Sequence, residues 1–197
     1  DPDIVKRIMD KIDNLGDIFA NHYSNYNKGK SWSAISLQGY SSDITMIEKP
    51  AEMNKKWIAE HKDVEYHIQK TEMYETFKGE IDEILEKYIG AETQRIRFMR
   101  LEKNQGELVR HTDQTDPSWG TVDGKMMRFH IPLQTNDKVV FNSWNNEGKQ
   151  DTFSMNRGEC WFLDTRRPHT AVNNGDDIRI HLVVDVFAND KIRRLVT

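Results

Sequence analysis

Cysteine is almost absent. Cys160 stands alone in 197 residues, so no internal disulfide staples the fold and stability must come from buried apolar surface. Long apolar runs are missing too. Nothing approaches the ~20 residues of a membrane span, and the opening Asp1-Pro-Asp-Ile-Val-Lys6 has no signal-peptide core. No membrane partner is expected, and a reducing, cytoplasmic location suits the lone thiol, which within Glu159-Cys-Trp-Phe-Leu163 reads as a buried strand residue. Positive charge is in the minority: 28 Lys and Arg against 32 Asp and Glu leave a net charge of -4. No basic stripe interleaves with aromatics, which argues against nucleic acid as a partner; Lys191-Ile-Arg193-Arg194 reads as a solvated helix end. With only five prolines and no linker, repeat or low-complexity tract, one domain over 1–197 is expected. Oligomeric state is left open.

What is present divides into a helical front and a strand-rich back. Ile4, Ile8, Ile12, Leu15 and Phe19 recur at helical spacing behind Asp3, predicting a capped helix from Asp3 to about Asn25, with His22 a polar cap or surface group. Trp32 to Tyr40 alternates like a strand, and Trp32, Gln38 and Tyr40 are candidates for substrate contact, with ordinary packing as the alternative. Pro50 to His61 reads as a second helix burying Met53, Trp57 and Ile58. Thr71 to Tyr88 reads as a third, with Met73, Phe77, Ile81, Leu85 and Tyr88 in register and Gly90 as its stop. His61 and His67 read as surface or capping groups.

From Thr93 onward, strands come densely: 93–101, 107–111, 126–133, 139–144, 152–155, 159–163, 169–172 and 177–186, with turn signals at Asn104-Gln-Gly106, Asn146-Glu-Gly148, Asn156-Arg-Gly158 and Asn173-Asn-Gly175. Short strands at this spacing make a sandwich or a barrel. Residues 114–125 form the longest connection between strong strands, either a segment covering a substrate or a plain link whose Trp119 packs on the barrel.

The chemistry sits in the strands. His111 and Asp113, two apart on an extended segment, point to the same side and can share one ion. His169 on another strand completes two imidazoles and a carboxylate, the facial triad of non-haem Fe(II) oxygenases. Taken alone, His-x-Asp is common in solvated turns. The alternation of Asp177 to Val186 puts Ile178, Ile180, Leu182, Val184 and Val186 on one face and Arg179, His181, Val183 and Asp185 on the other. Met127 to Leu133 repeats the split, with Arg128, His130 and Pro132 opposite the apolar set. Two strands thus carry Arg-x-His on the less apolar face, which suits the lining of a cavity better than a solvated surface.

The order Met126-Met-Arg-Phe-His-Ile-Pro-Leu133, Gly158-Glu-Cys-Trp-Phe-Leu-Asp164, Pro168-His-Thr-Ala-Val-Asn-Asn174 and Asp177-Ile-Arg-Ile-His-Leu-Val-Val-Asp185 resembles the aspartyl/asparaginyl β-hydroxylase family of Fe(II)/2-oxoglutarate oxygenases, over about Arg95 to Val186. The resemblance implies that His111 and His169 bind iron, that Arg179 binds the distal carboxylate of 2-oxoglutarate, and that Arg128 and His130 contact that cosubstrate. Asp113 departs from the vertebrate members, which lack a carboxylate there, and agrees with bacterial ones. That argues against the vertebrate substrate, and against halogenation, where a small residue replaces the carboxylate.

The expected fold is mainly β with flanking helices: a double-stranded β-helix, the jelly-roll barrel of cupins, with N-terminal helices on one side. Residues 1–92 would support a barrel core over 93–187. The resemblance implies Fe(II), 2-oxoglutarate and O2 as cofactors, with hydroxylation of a C–H bond in a small amino acid or peptide-like substrate and release of succinate and CO2. Asp164 is a candidate acceptor behind a ligand histidine. The alternatives are a cupin-like metalloenzyme working without 2-oxoglutarate and a barrel that binds a ligand or metal without turnover.

Overall fold

Alternation of apolar and polar residues in the strands becomes two antiparallel sheets stacked face to face. The structure, a computed structural model, describes residues 1–23, 26–113 and 124–196. Eleven strands are described: β1 (Ala20–Asn21), β2 (Trp32–Gly39), β3 (Gln69–Lys70), β4 (Thr93–Leu101), β5 (Gly106–His111), β6 (Met126–Gln134), β7 (Val139–Trp144), β8 (Gln150–Phe153), β9 (Trp161–Phe162), β10 (His169–Asn173) and β11 (Arg179–Phe187). The larger sheet runs β1-β2-β4-β11-β6-β9, with β3 also paired to β2; the smaller runs β5-β10-β7-β8. Together they form a double-stranded β-helix of the jelly-roll kind.

The central strands of the larger sheet are buried on both faces. On one face, Ile96, Phe98, Phe129, Ile131, Leu182 and Val184 join the helices α1 (Pro2–Ile12) and α3 (Glu72–Ile84) through Ile4, Ile8, Phe77 and Ile81. Phe77 meets Phe98 edge-on at 4.8 Å between ring centroids, a contact favoured by the ring quadrupoles. On the other face, Trp32, Ala34, Met99, Leu101 and Val183 pack with Phe141 and Ala171 of the smaller sheet and with Met155. This second cluster holds the two sheets together and frames the cavity between them.

Several helical expectations change. α1 stops at Ile12 rather than running to Asn25, because Gly16 adopts φ +71, a left-handed conformation that ends helical propagation. Asp1, not Asp3, supplies the cap, its Oδ1 accepting from the Asp3 amide at 2.9 Å. The region of Pro50 to His61 is a 3-10 turn at Pro50–Glu52 followed by α2 (Lys55–Glu60), capped by Asn54. Ile58 is exposed there, since a helix of six residues presents little apolar stripe to bury. After α3, Leu85–Ile89 winds as a π-helix before Gly90 closes it at φ +63. Its wider turn shifts the register, so Ile84 and Ile89 are buried while Tyr88 is exposed. Cys160 is exposed, because β9 begins only at Trp161 and the thiol lies outside the ladder.

Beyond β11, the chain returns to the barrel. The Phe187 amide donates to Glu92 O, the Ala188 amide to Lys125 O, and α4 (Asp190–Val196) buries Ile192. Among the described residues, no helix is long and apolar enough to cross a membrane.

Candidate metal centre

β5 and β10 are antiparallel neighbours, and His111 and His169 are direct partners across them. Their rings lie 4.3 Å apart between centroids. Just past β5, the Asp113 amide donates to Thr165 O at 2.8 Å, turning its carboxylate back toward the two imidazoles. One ligand atom from each of His111, Asp113 and His169 falls within 4.8 Å of the others.

Both imidazoles are held by the same device. His111 Nδ1 donates to Val109 O at 2.7 Å and His169 Nδ1 to Arg167 O at 2.9 Å. A carbonyl can only accept, so each Nδ1 donates and Nε2 is the nitrogen left to face a metal. His111 Nε2 lies 3.3 Å from Asp113 Oδ1. The orienting acceptors are backbone carbonyls rather than Asp164, which instead pairs with Arg166 at 2.7 Å. Phe141 stacks on His169, and Tyr26 on His111. Burial lowers the pKa of His169 and favours its neutral form. Burial alone would raise Asp113, but the Arg128 guanidinium and His111 hold it well below the ordinary range. Two imidazole nitrogens and one carboxylate at this spacing fit a divalent transition metal.

The three residues border a cavity of about 590 Å³ between the sheets. Arg179, Arg128 and His130 line it as well, reaching it from β11 and β6. Arg179 is 4% exposed; its Nη2 donates to His181 Nδ1 at 2.7 Å, and Nε has no partner. Among the described residues it forms no ion pair with a carboxylate, and burial opposes its charge. Arg128 is differently placed. Its Nε and Nη2 donate to the two oxygens of Asp185 at 2.6 and 3.0 Å, and Nη1 donates to Asp113. His130 is buried, with Nε2 unpartnered; burial, then Arg179 and Arg128, hold its pKa far below the usual histidine value.

Other residues of the cavity escaped the sequence reading. Arg95 and Arg97 of β4 face it, with Glu52 from the 3-10 turn. The signal was present: Arg95-Ile-Arg97-Phe alternates as Arg128-Phe-His130-Ile does. His22, expected as a cap or surface group, lines the cavity with its ring centroid 4.0 Å from that of Trp32; burial pushes its pKa down to about 3. Trp32 lines the cavity too, whereas Gln38 is spent on Thr93 and Gln94 carbonyls and Tyr40 is absent from the lining. His61 caps α2 and His67 is exposed. Residues 114–123, most of the expected covering segment, lie outside the described residues.

The family model for aspartyl/asparaginyl beta-hydroxylases matches residues 3–189. An L-proline cis-4-hydroxylase of Rhizobium meliloti (strain 1021) is 30% identical over 92 residues, which are 47% of this chain and 29% of that enzyme; the chain therefore spans under a third of that relative's length. Among solved structures, a Pseudomonas putida prolyl-4-hydroxylase aligns with TM-score 0.49 and 13% identity, over 96% of this chain and 88% of that one. A cupin domain of Bordetella pertussis Tohama I aligns over 48% of this chain and 81% of its own, with TM-score 0.34 and 17% identity.

Proposed function

The chain belongs to the aspartyl/asparaginyl β-hydroxylase family, and from that premise we propose that it is an Fe(II)- and 2-oxoglutarate-dependent dioxygenase. It would hydroxylate an unactivated C–H bond of a small amino acid or peptide-like substrate, with succinate and CO2 as coproducts. One observation carries the reading: Arg179, a buried cation paired with no carboxylate among the described residues, opens on the same cavity as His111, Asp113 and His169. A buried guanidinium keeps its proton, so its environment is relieved by an anion. The planar fork of arginine suits a carboxylate through two parallel hydrogen bonds.

The chain's residues would then divide the work. His111 Nε2, His169 Nε2 and an Asp113 oxygen hold the metal from one side. Arg179 takes the distal carboxylate of 2-oxoglutarate and sets its orientation. The unpartnered Nε2 of His130 is available to the same molecule, whereas Arg128 acts on the centre through Asp113. Phe141, Met99 and Leu108 keep part of the wall apolar and dry. When bound, iron with 2-oxoglutarate and O2 supplies the oxidising power for the C–H bond; the protein supplies orientation.

The test is anaerobic addition of 2-oxoglutarate to the Fe(II)-loaded protein, read by the visible metal-to-ligand charge-transfer band. A band that weakens in Arg179→Ala is the expected result. Iron binding with no band at any 2-oxoglutarate concentration overturns the proposal in favour of cupin chemistry without a cosubstrate.

A further inference from the structure

The rim strand of a sheet carries a row of backbone N–H and C=O groups that the sheet itself does not satisfy. At β2 that row is covered: β1 and β3 pair with its ends, and the Ser36 amide between them donates to Ile44 O at 2.9 Å. At β5 it is covered by the segment before β2. The Val109 amide donates to Tyr26 O, the Glu107 amide to Ser31 Oγ, and Asn27 bridges Leu108. β8, the opposite rim of the smaller sheet, is different. Its four residues pair with β7 on one side, and no segment pairs with the other side among the described residues.

The ladder shows which groups point outward. The Asn145 amide donates to Lys149 O at 3.0 Å, so Asn145 and Lys149 form a bonded pair. Antiparallel pairs alternate between bonded and non-bonded, which makes Trp144 with Gln150 and Asn142 with Thr152 non-bonded pairs. The Trp144 amide accordingly turns away from β8 and donates to Pro168 O at 2.9 Å. Gln150 and Thr152 therefore aim their N–H and C=O groups off the free rim. The rim is also held in place. Asn142 Oδ1 accepts from Gln150 Nε2 at 2.9 Å and from Thr152 Oγ1 at 2.7 Å, and Asn142 itself donates to Thr170. No proline and no bulge interrupts residues 149–153.

Lysine on a rim ordinarily discourages pairing. Here Lys149 and Asp151, two residues apart, lie on one face of the strand, both exposed and without an ion-pair partner among the described residues. We propose that the β8 rim pairs antiparallel with the same rim of a second copy of this chain, about a two-fold axis through Gln150. Gln150 then exchanges both backbone hydrogen bonds with its counterpart. Lys149 stands opposite the partner subunit's Asp151, and Asp151 opposite the partner subunit's Lys149. Sliding by one step in the ladder, so that Gln150 meets Thr152, sets Asp151 against itself, and like charges directly opposite repel. The cavity stays accessible in this dimer, because Tyr26, which lines it and stacks on His111, lies beside β5 at the far rim of the sheet. The contact is small and belongs with transient associations.

Sedimentation velocity of the full chain at low salt, at concentrations up to about 1 mM, is the test. Wild-type protein is expected to shift from monomer toward dimer as concentration rises. Lys149→Asp and Asp151→Lys should each weaken association about tenfold or more, since each sets like charges opposite one another. An equimolar mixture of the two variants should recover association to within about threefold of wild type, because each acidic position then meets a basic one. Recovery also shows that both variants are folded. A wild type that stays monomeric throughout overturns the proposal and leaves the rim to an extended peptide of another protein. A dimer indifferent to both substitutions, or a mixture that does not recover, overturns it in favour of a different face.

Discussion

Arg128 pairs with only one of the two oxygens of Asp113. Oδ2 accepts from Arg128 Nη1, while Oδ1 faces His111 Nε2 at 3.3 Å, so the carboxylate presents a single oxygen to a metal. Arg128 is itself immobilised by a two-point contact with Asp185. The order of support runs from Asp185 through Arg128 to Asp113.

Arg128→Met should therefore weaken metal binding by roughly 10- to 100-fold, the usual cost of losing an outer partner of a ligand. His111→Ala and His169→Ala should abolish stoichiometric binding. Calorimetric titration with Mn(II) or Co(II) reads all three, and an unchanged affinity in Arg128→Met would show that Asp113 needs no such tether.

Arg179→Ala should cost 2-oxoglutarate affinity on the order of 30-fold or more, the effect of removing one member of a buried charged pair. Metal affinity should be preserved. Lysine at the same position should recover only part of the loss, since it offers a point charge in place of a fork. Equal losses for metal and cosubstrate would mean that the substitution disturbs the barrel.

Asp185 balances Arg95, Arg97 and Arg128 from a fully buried position. Burial would raise its pKa, but Arg128 and Arg95 hold it far below the ordinary carboxylate value. Asp185→Asn should destabilise the protein by roughly 3–5 kcal/mol by leaving buried cations uncompensated. Urea unfolding measures this; a loss under about 1 kcal/mol would place the balancing charge elsewhere.

The metal-free protein should lose stability as pH falls below about 6.5, the ordinary histidine value. His130 and His181 are held neutral by burial and then by Arg179, and His22 by burial and the nearby arginines. Their folded pKa values lie below the unfolded ones, so only the unfolded chain takes up the proton. Each such group steepens the loss by up to about 1.4 kcal/mol per pH unit. Thermal unfolding between pH 7.5 and 5 tests this, and a flat melting temperature contradicts neutral burial.

How much of this was legible in the sequence depends on the range of the interaction. Alternation in 177–186 separated Ile180 and Leu182 from Arg179 and His181, and those faces are the helix-packed and cavity faces of β11. The same rule would have found Arg95 and Arg97. The π-helix at Leu85–Ile89 carries no periodic signature, so Tyr88 was read as buried. β2 alternates like a half-exposed strand but is buried throughout, because α3 covers one side and the smaller sheet the other. The contact of Arg128 with Asp113 joins β6 to the segment just past β5, and no local pattern encodes it.

The cross-strand pairing of His111 with His169 would turn the candidate metal centre into a gauge of strand alignment. Side chains in a strand repeat every two residues, so a slip of one position between β5 and β10 sends one imidazole to the opposite face. Misaligned strands offer a metal too few donors. An ion held by this triad would bind, and by mass action enrich, only molecules whose smaller sheet is correctly aligned. Metal supplied during refolding should raise the yield of native barrel by acting as a proof-reader of pairing, before any question of turnover arises.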